Sequence, residues 1–172
     1  MKNFMLSIGK RAIVASNNKI NSKSKNKVLD RYVKLIKKNK RLIIKQNSKD
    51  VKLAIKKKLR SNLVDRLTLD QKKINNICAA ITNVKKLKDP IDVTLAKWKR
   101  PNNLIIKRIS IPLGVVGVIF ESRPNVASDI SCLCFKSGNA VILRGGSEAL
   151  NSNKILVSLF RKALKANKIN PN

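Results

Sequence analysis

The sequence predicts an α/β protein: N-terminal helices followed by the start of a doubly wound parallel sheet, left incomplete. Three observations carry that prediction. Apolar residues in the first hundred positions recur at helical spacing between lysines. Residues 115–144 run apolar stretch, helix-patterned stretch, apolar stretch, which is the size and order of a parallel strand–helix–strand crossover. A further helical pattern starts after Gly145-Gly146, as expected where helices cover both faces of an open sheet.

The elements follow in chain order. Val28, Leu29, Tyr32, Val33, Leu35 and Ile36 lie three and four apart, so they share one face of a helix. Lysines between them can cover apolar surface with their stems while the ammonium stays in water. Ile74, Ile77, Cys78, Ile81 and Val84 mark a second helix, with Thr68 and Gln71 at capping-box spacing and Asp89-Pro90 as its stop. Composition shifts near Trp98-Lys99-Arg100-Pro101, which divides a helical region 1–100 from an α/β region 101–172. Leu104 to Ile111 is rich in β-branched residues and reads as a strand. Pro112-Leu113-Gly114 is a turn. Val115 to Phe120 is an apolar run suited to a strand buried on both faces of a parallel sheet. Val126, Ile130, Leu133 and Cys134 fall on one face of the next helix, and Gly138 ends it. Ala140 to Leu143 is a second buried strand. Gly145-Gly146 is a tight turn, Ser147 an N-cap, and Leu156, Leu159, Phe160 and Ala163 the apolar face of a last helix.

Composition excludes several functions. The chain has 172 residues, 39 Lys+Arg, 9 Asp+Glu, no histidine and a net charge of +30. Without histidine, a Ser-His-Asp triad and a His/carboxylate metal site are both excluded within this chain. No apolar stretch approaches the length of a membrane span. The first ten residues lack the pattern of a secretory signal. Cys78, Cys132 and Cys134 form no closed disulfide framework, so a cytoplasmic location is expected. Cys132 and Cys134 are C-x-C on a helix and point apart, and all three thiols read as small buried hydrophobes.

The charge invites a nucleic-acid reading. Against it, aromatic residues make up only 3% of the chain, and stacking on single-stranded nucleic acid needs aromatic platforms. The cations are also dispersed. The 29 Lys, 20 Asn and 20 Ile share A/T-rich codons, so base composition could supply much of the excess.

In an open parallel sheet, ligands gather at the carboxyl ends of the strands. Two loops occupy such ends here. The first, Glu121-Ser122-Arg123-Pro124-Asn125, sets a carboxylate, a hydroxyl, a guanidinium and an amide within five residues. Arg123 can bind a phosphate or carboxylate there, or pair with Glu121 or Asp129. The second, Arg144-Gly145-Gly146-Ser147-Glu148, combines glycines that let a ligand approach the backbone, a helix N-terminus and a fork-shaped donor. It equally suits a plain strand-to-helix turn. It is neither a G-x-G-x-x-G nor a G-K-[ST] motif.

Two longer runs go further. Ile111-Pro-Leu-Gly-Val-Val-Gly-Val-Ile-Phe-Glu-Ser-Arg-Pro-Asn125 and Cys134-Phe-Lys-Ser-Gly-Asn-Ala-Val-Ile-Leu-Arg-Gly-Gly-Ser-Glu-Ala149 resemble the γ-glutamyl phosphate reductase family of the aldehyde dehydrogenase superfamily. Lys25 to Asp30 and Leu63 to Leu69 are similar to the same family's N-terminal helices. The resemblance covers nearly the whole chain. It implies an aldehyde dehydrogenase-like cofactor-binding domain, and NADPH-dependent reduction of L-glutamyl 5-phosphate to glutamate 5-semialdehyde in proline biosynthesis. In that reaction a cysteine thiolate expels phosphate to leave a thioester, which hydride then reduces.

Carried onto this sequence, the resemblance puts Arg144 on the adenosine side of the cofactor, with Gly145, Gly146, Ser147 and Glu148 as the adjoining turn. Arg144 suits the 2′-phosphate of NADPH, and Glu148 would repel that phosphate unless turned away. Glu121, Ser122, Arg123 and Asn125 take the place of the loop near the reacting carbonyl. The family's catalytic cysteine lies in a Thr-Cys-Asn segment, and no such segment occurs here. The expectation is therefore an N-terminal part of a longer enzyme, with no catalytic residue and no catalytic domain in this chain, and no turnover alone. The resemblance also implies a homo-oligomer at full length and a functional link to glutamate 5-kinase, with no specific nucleic-acid or membrane partner. The alternatives are a basic nucleic-acid-binding module and an inactive truncated remnant.

Overall fold

The computed structural model describes residues 2–172. Five helices come first: α1 (Lys2–Ser16), α2 (Ser22–Lys38), α3 (Lys40–Lys56), α4 (Ser61–Leu67) and α5 (Gln71–Lys86). An antiparallel pair follows, β1 (Thr94–Lys99) and β2 (Ile105–Ile109). The chain then runs β3 (Val115–Phe120), α6 (Pro124–Lys136), β4 (Ala140–Gly145), a 3-10 turn at Ser147–Ala149, and α7 (Leu150–Ala166). Strands β3 and β4 are parallel, from Val115 opposite Ala140 to Phe120 opposite Gly145. This is the expected α/β class, with N-terminal helices and a short parallel sheet.

The main core lies between helices. Val28, Leu29, Tyr32 and Ile36 of α2 meet Ile74, Ile77 and Ile81 of α5 and Leu156, Leu159 and Phe160 of α7. Tyr32 is wholly buried at its centre. Its hydroxyl shares a 2.7 Å hydrogen bond with Ser128 Oγ and donates to the Leu156 carbonyl at 3.2 Å, which satisfies its polar end. Phe160 stacks edge-on against both Tyr32 and Phe135, at 5.1 and 5.7 Å between centroids. The polar contacts Lys25–Asp89 (2.9 Å) and Lys136 Nζ to Asn26 (2.9 Å) and to the Lys85 carbonyl (3.1 Å) join α2, α5 and α6.

Several local expectations change. Helix α5 is capped by Asp70, whose carboxylate accepts from Lys73 N–H at 2.6 Å. The Thr68 hydroxyl instead donates back to the Val64 carbonyl. Asp70 lies directly before the first helical residue, where a short carboxylate reaches the free donors. The buried face of α6 is Ala127, Ser128, Ser131, Cys132 and Phe135, while Leu133 is exposed. Small residues let α6 approach closely, and Ser131 satisfies its hydroxyl on the Ala127 carbonyl. Strand β3 is not buried on both faces, because Gly117 and Ile119 face outward. Strand β1 is an addition to the sequence reading. Arg100 and Asn103, where composition shifts, form the tip of the β1–β2 hairpin. Gly138 follows α6 with φ +73°, as a C-terminal glycine should.

Candidate functional site

The carboxyl ends of β3 and β4 lie side by side, with Phe120 opposite Gly145. Parallel pairing therefore brings the two sequence-predicted loops together. Ser122 closes the gap: its buried hydroxyl donates to Glu148 Oε1 at 2.9 Å. This contact holds the Glu148 carboxylate toward the β3 loop. Gly146 makes room for it, since a Cβ there would fall 2.0 Å from Glu148 Oε1. A Cβ at Gly145 would fall 2.3 Å from Asn153 Nδ2 and 3.0 Å from the Phe120 ring. The two glycines thus leave room for the ends of the Glu148 and Asn153 side chains and for the Phe120 ring.

Arg144 is exposed, and its guanidinium donates to the Gly145 carbonyl. Ser147 is not the N-cap of α7. It starts the 3-10 turn, and the helix begins at Leu150. The first-turn donors are taken by Asp50 of α3. Its Oδ1 accepts from Asn151 N at 3.1 Å and Asn151 Nδ2 at 2.8 Å. Its Oδ2 accepts from Ser152 N at 2.7 Å and Ser152 Oγ at 2.6 Å. A carboxylate at a helix N-terminus is favoured by the helix dipole. Asp50 already fills the helix end, which leaves Arg144, the glycine backbone and the cavity-lining Arg11, Lys154 and Arg161 to meet an anion here. Asn47 supports the arrangement, donating to Ser152 Oγ and the Leu67 carbonyl and accepting from Leu69 N–H.

In the first loop, Arg123 N–H donates to the Glu121 carbonyl at 2.6 Å and makes a tight turn into α6. Asn125 Nδ2 donates to Asp129 Oδ2 at 3.0 Å. Burial pushes the Asp129 carboxyl above the ordinary carboxylate range, against the lowering effect of the Asn125 hydrogen bond. The Arg123 guanidinium forms no ion pair with Glu121 or Asp129. No thiol here is set up as a nucleophile. Burial raises the pKa of Cys78, Cys132 and Cys134, and the Asp129 charge adds to the effect on Cys132.

Two cavities open at these loops. One of about 580 Å³ is bounded by Arg144, Gly145 and Gly146 and by residues of α1, β4 and α7; Gly145 is the last residue of β4, paired with Phe120, rather than half of the expected tight turn. Asn153 lies on its wall with a buried Oδ1 that has no hydrogen-bond partner. The other, of about 290 Å³, lies at the end of β3 between α4 and α6, and brings in Arg66. Asn153, Arg66 and Asp50 escaped the sequence reading. For Asp50 a signal was present: Asn47 and Asp50 interrupt a helix face otherwise marked by Ile43 and Ala54.

Comparison with known proteins separates an isolated turn from a shared architecture. No family model matches the chain. A γ-glutamyl phosphate reductase of Hydrogenobaculum sp. is 44% identical over 167 residues, which is 96% of this chain and 38% of that protein. The chain is homologous to part of γ-glutamyl phosphate reductase. The crystal structure of the Thermotoga maritima reductase superposes with a TM-score of 0.93 at 38% identity, over 96% of this chain and 41% of that one. An acetylating aldehyde dehydrogenase from Geobacillus thermoglucosidasius, at 12% identity, superposes with a TM-score of 0.65 and shows the aldehyde dehydrogenase-like fold alone. The chain spans about two-fifths of the length of the reductases it matches. Among the described residues no helix is long and apolar enough to cross a membrane.

Proposed function

We propose that this chain is the N-terminal part of an enzyme that reduces L-glutamyl 5-phosphate to L-glutamate 5-semialdehyde with NADPH, releasing phosphate. The observation that carries it is the Ser122–Glu148 hydrogen bond. It joins the two loops that bear the long reductase-like runs into one site at the end of a parallel sheet. In this reading residues 1–100 and 101–172 both belong to the cofactor-binding domain.

The residues at the β4 turn fit a dinucleotide. An exposed guanidinium, a glycine backbone and the unpartnered Asn153 Oδ1 border one cavity. Arg144 would hold the 2′-phosphate, with Gly145, Gly146 and Ser147 against the adenosine half. Ser122 holds the Glu148 carboxylate in one position, packed over Gly146, so it cannot swing further toward that phosphate. NADPH supplies a hydride when bound. Glu121, Ser122, Arg123 and Asn125 orient the acyl substrate at the neighbouring loop. The three thiols of this chain line neither cavity and stay unreactive, because burial raises the pKa of each above its ordinary value.

A chimera tests the proposal: residues 1–172 replace the matching segment of the Thermotoga maritima reductase. The chimera is expected to oxidise glutamate 5-semialdehyde in the reverse direction, dependent on NADP⁺ and phosphate. A soluble chimera that retains helical circular dichroism yet shows no such activity overturns the reading.

A further inference from the structure

The cavity at the end of β3 has an unusual charge composition. Arg66 comes from α4, Glu121 and Arg123 from the loop after β3, and all three residues line the same space of about 290 Å³. Neither guanidinium makes an ion pair or side-chain hydrogen bond among the described residues, although a carboxylate shares their cavity. Leu63, Phe120 and Val126 supply apolar walls. The volume is at the small end of the range for ligand pockets, about 300–1,000 Å³.

Two cations and one anion that line one cavity with apolar walls, and form no ion pair with each other, complement a small molecule that carries both signs. We propose that Arg66, Arg123 and Glu121 form a subsite for an α-amino-acid head group. Arg66 and Arg123 receive the α-carboxylate, because a guanidinium offers paired donors in the plane of a carboxylate. Glu121 receives the α-ammonium. The apolar walls take the methylene chain. A plain dianion would meet Glu121 as a repulsive neighbour, and that repulsion is what makes the site selective. Arg66 thereby becomes a binding residue contributed by the helical region to a loop of the α/β region. The inference rests on the reductase reading and deepens it by naming the part of the substrate that is recognised.

The test is equilibrium binding of L-glutamate to the 172-residue chain, read by calorimetry. Glutarate lacks the ammonium, and 4-aminobutyrate lacks the α-carboxylate. Both are expected to bind at least about tenfold more weakly than L-glutamate. R66Q weakens glutamate and glutarate alike, with R66K partly restoring both. E121Q weakens glutamate and leaves glutarate unchanged or improved. Arg66 and Glu121 are both exposed, so the variants should keep wild-type circular dichroism. Equal affinity for glutamate and glutarate, no glutamate binding by the wild-type chain, or an unaltered R66Q overturns the subsite. Inorganic phosphate that displaces glutamate equally well from wild type and E121Q marks a generic anion site and also overturns it. An active chimera beside a non-discriminating chain sinks this subsite alone. Selective glutamate binding beside an inactive, folded chimera sinks the reductase reading alone.

Discussion

Asp50 caps a helix 102 residues away, with Oδ2 accepting from both the backbone N–H and the hydroxyl of Ser152, at 2.7 and 2.6 Å. Asp50 is only 1% exposed. It ties α3 of the lysine-rich region to the helix after the glycine turn, and so fixes where that turn sits. Asp50→Ala leaves four donors without their acceptor and removes the cap. The expected cost is about 2–4 kcal/mol of folding stability. Asp50→Asn keeps one acceptor oxygen and should lose less. Urea unfolding of the three proteins checks this, and an Asp50→Ala protein as stable as wild type would refute the capping role.

That link also shows what the sequence could reveal. The β3–α6–β4–α7 order was legible because apolar runs alternate with helical pattern and glycines punctuate both. Asp50 was not, because its partners lie a hundred residues on and only the folded chain brings them together. Strand β1 was missed for a similar reason: Thr94–Lys99 carries two lysines, and among the described residues its one ladder partner is β2. The two loops were legible as separate candidates. Their joining through Ser122 and Glu148 depends on the register of β3 against β4, which local pattern does not encode.

Ser122 controls the position of the Glu148 carboxylate. On the proposed reading, Ser122→Ala frees that carboxylate to approach the 2′-phosphate beside Arg144. NADPH affinity should fall roughly 3- to 10-fold relative to NADH, the scale of one like-charge contact near a protein surface. Glu148→Gln should shift the ratio in the opposite direction. Nicotinamide fluorescence titrations with both cofactors measure it. A ratio unchanged in both variants rejects this role for the contact.

Alkaline pH should destabilise the fold. Burial raises the pKa of all three thiols above the ordinary 9.0, so the unfolded chain releases these protons first. Above that pH the folded state binds more protons, and stability falls as pH rises. Tyr32, raised well above 10.0 by its burial, acts in the same direction at higher pH. Lys136, lowered by burial, opposes them: the unfolded lysine keeps its proton longer, so stability rises with pH just below 10.5. Cys132 is the most deeply buried of the thiols, with a limiting slope of about 1.4 kcal/mol per pH unit. Cys132→Ala should flatten the decline between neutral pH and pH about 10, in urea titrations under reducing conditions. An identical slope in the variant would exclude that thiol as the cause.

The β1–β2 hairpin should open independently of the core. Leu95, Trp98, Leu104, Ile105 and Ile109 are all exposed, and the hairpin ladder is two strands wide. Two-stranded ribbons without a covered apolar face are marginal in water. Backbone amides of β1 and β2 are expected to exchange about tenfold faster or more than those of α2. Trp98, the single tryptophan, should show solvent-exposed emission before the main unfolding transition. Equal protection of the hairpin and α2 would show that the hairpin is held by contacts beyond its own ladder.

Arg144 carries the sharpest functional prediction. Asp50 occupies the α7 donors and Glu148 is held by Ser122, so Arg144 is the cation on the glycine segment itself, with Arg11, Lys154 and Arg161 elsewhere on the same cavity lining. On the proposed reading Arg144→Gln should lower NADPH affinity by about tenfold or more, the worth of a charge-assisted hydrogen bond, and leave NADH nearly unchanged. Arg144→Lys keeps the charge and loses the fork, so it should fall between the two. The wild-type difference between NADPH and NADH should also shrink as salt rises, because an exposed guanidinium is screened. A general basic-surface attraction predicts otherwise: Arg144→Gln would then weaken both cofactors by the same small factor. Titrating both cofactors into the wild-type chain and the two variants, at low and high salt, decides between a 2′-phosphate contact and diffuse attraction by a chain of net charge +30.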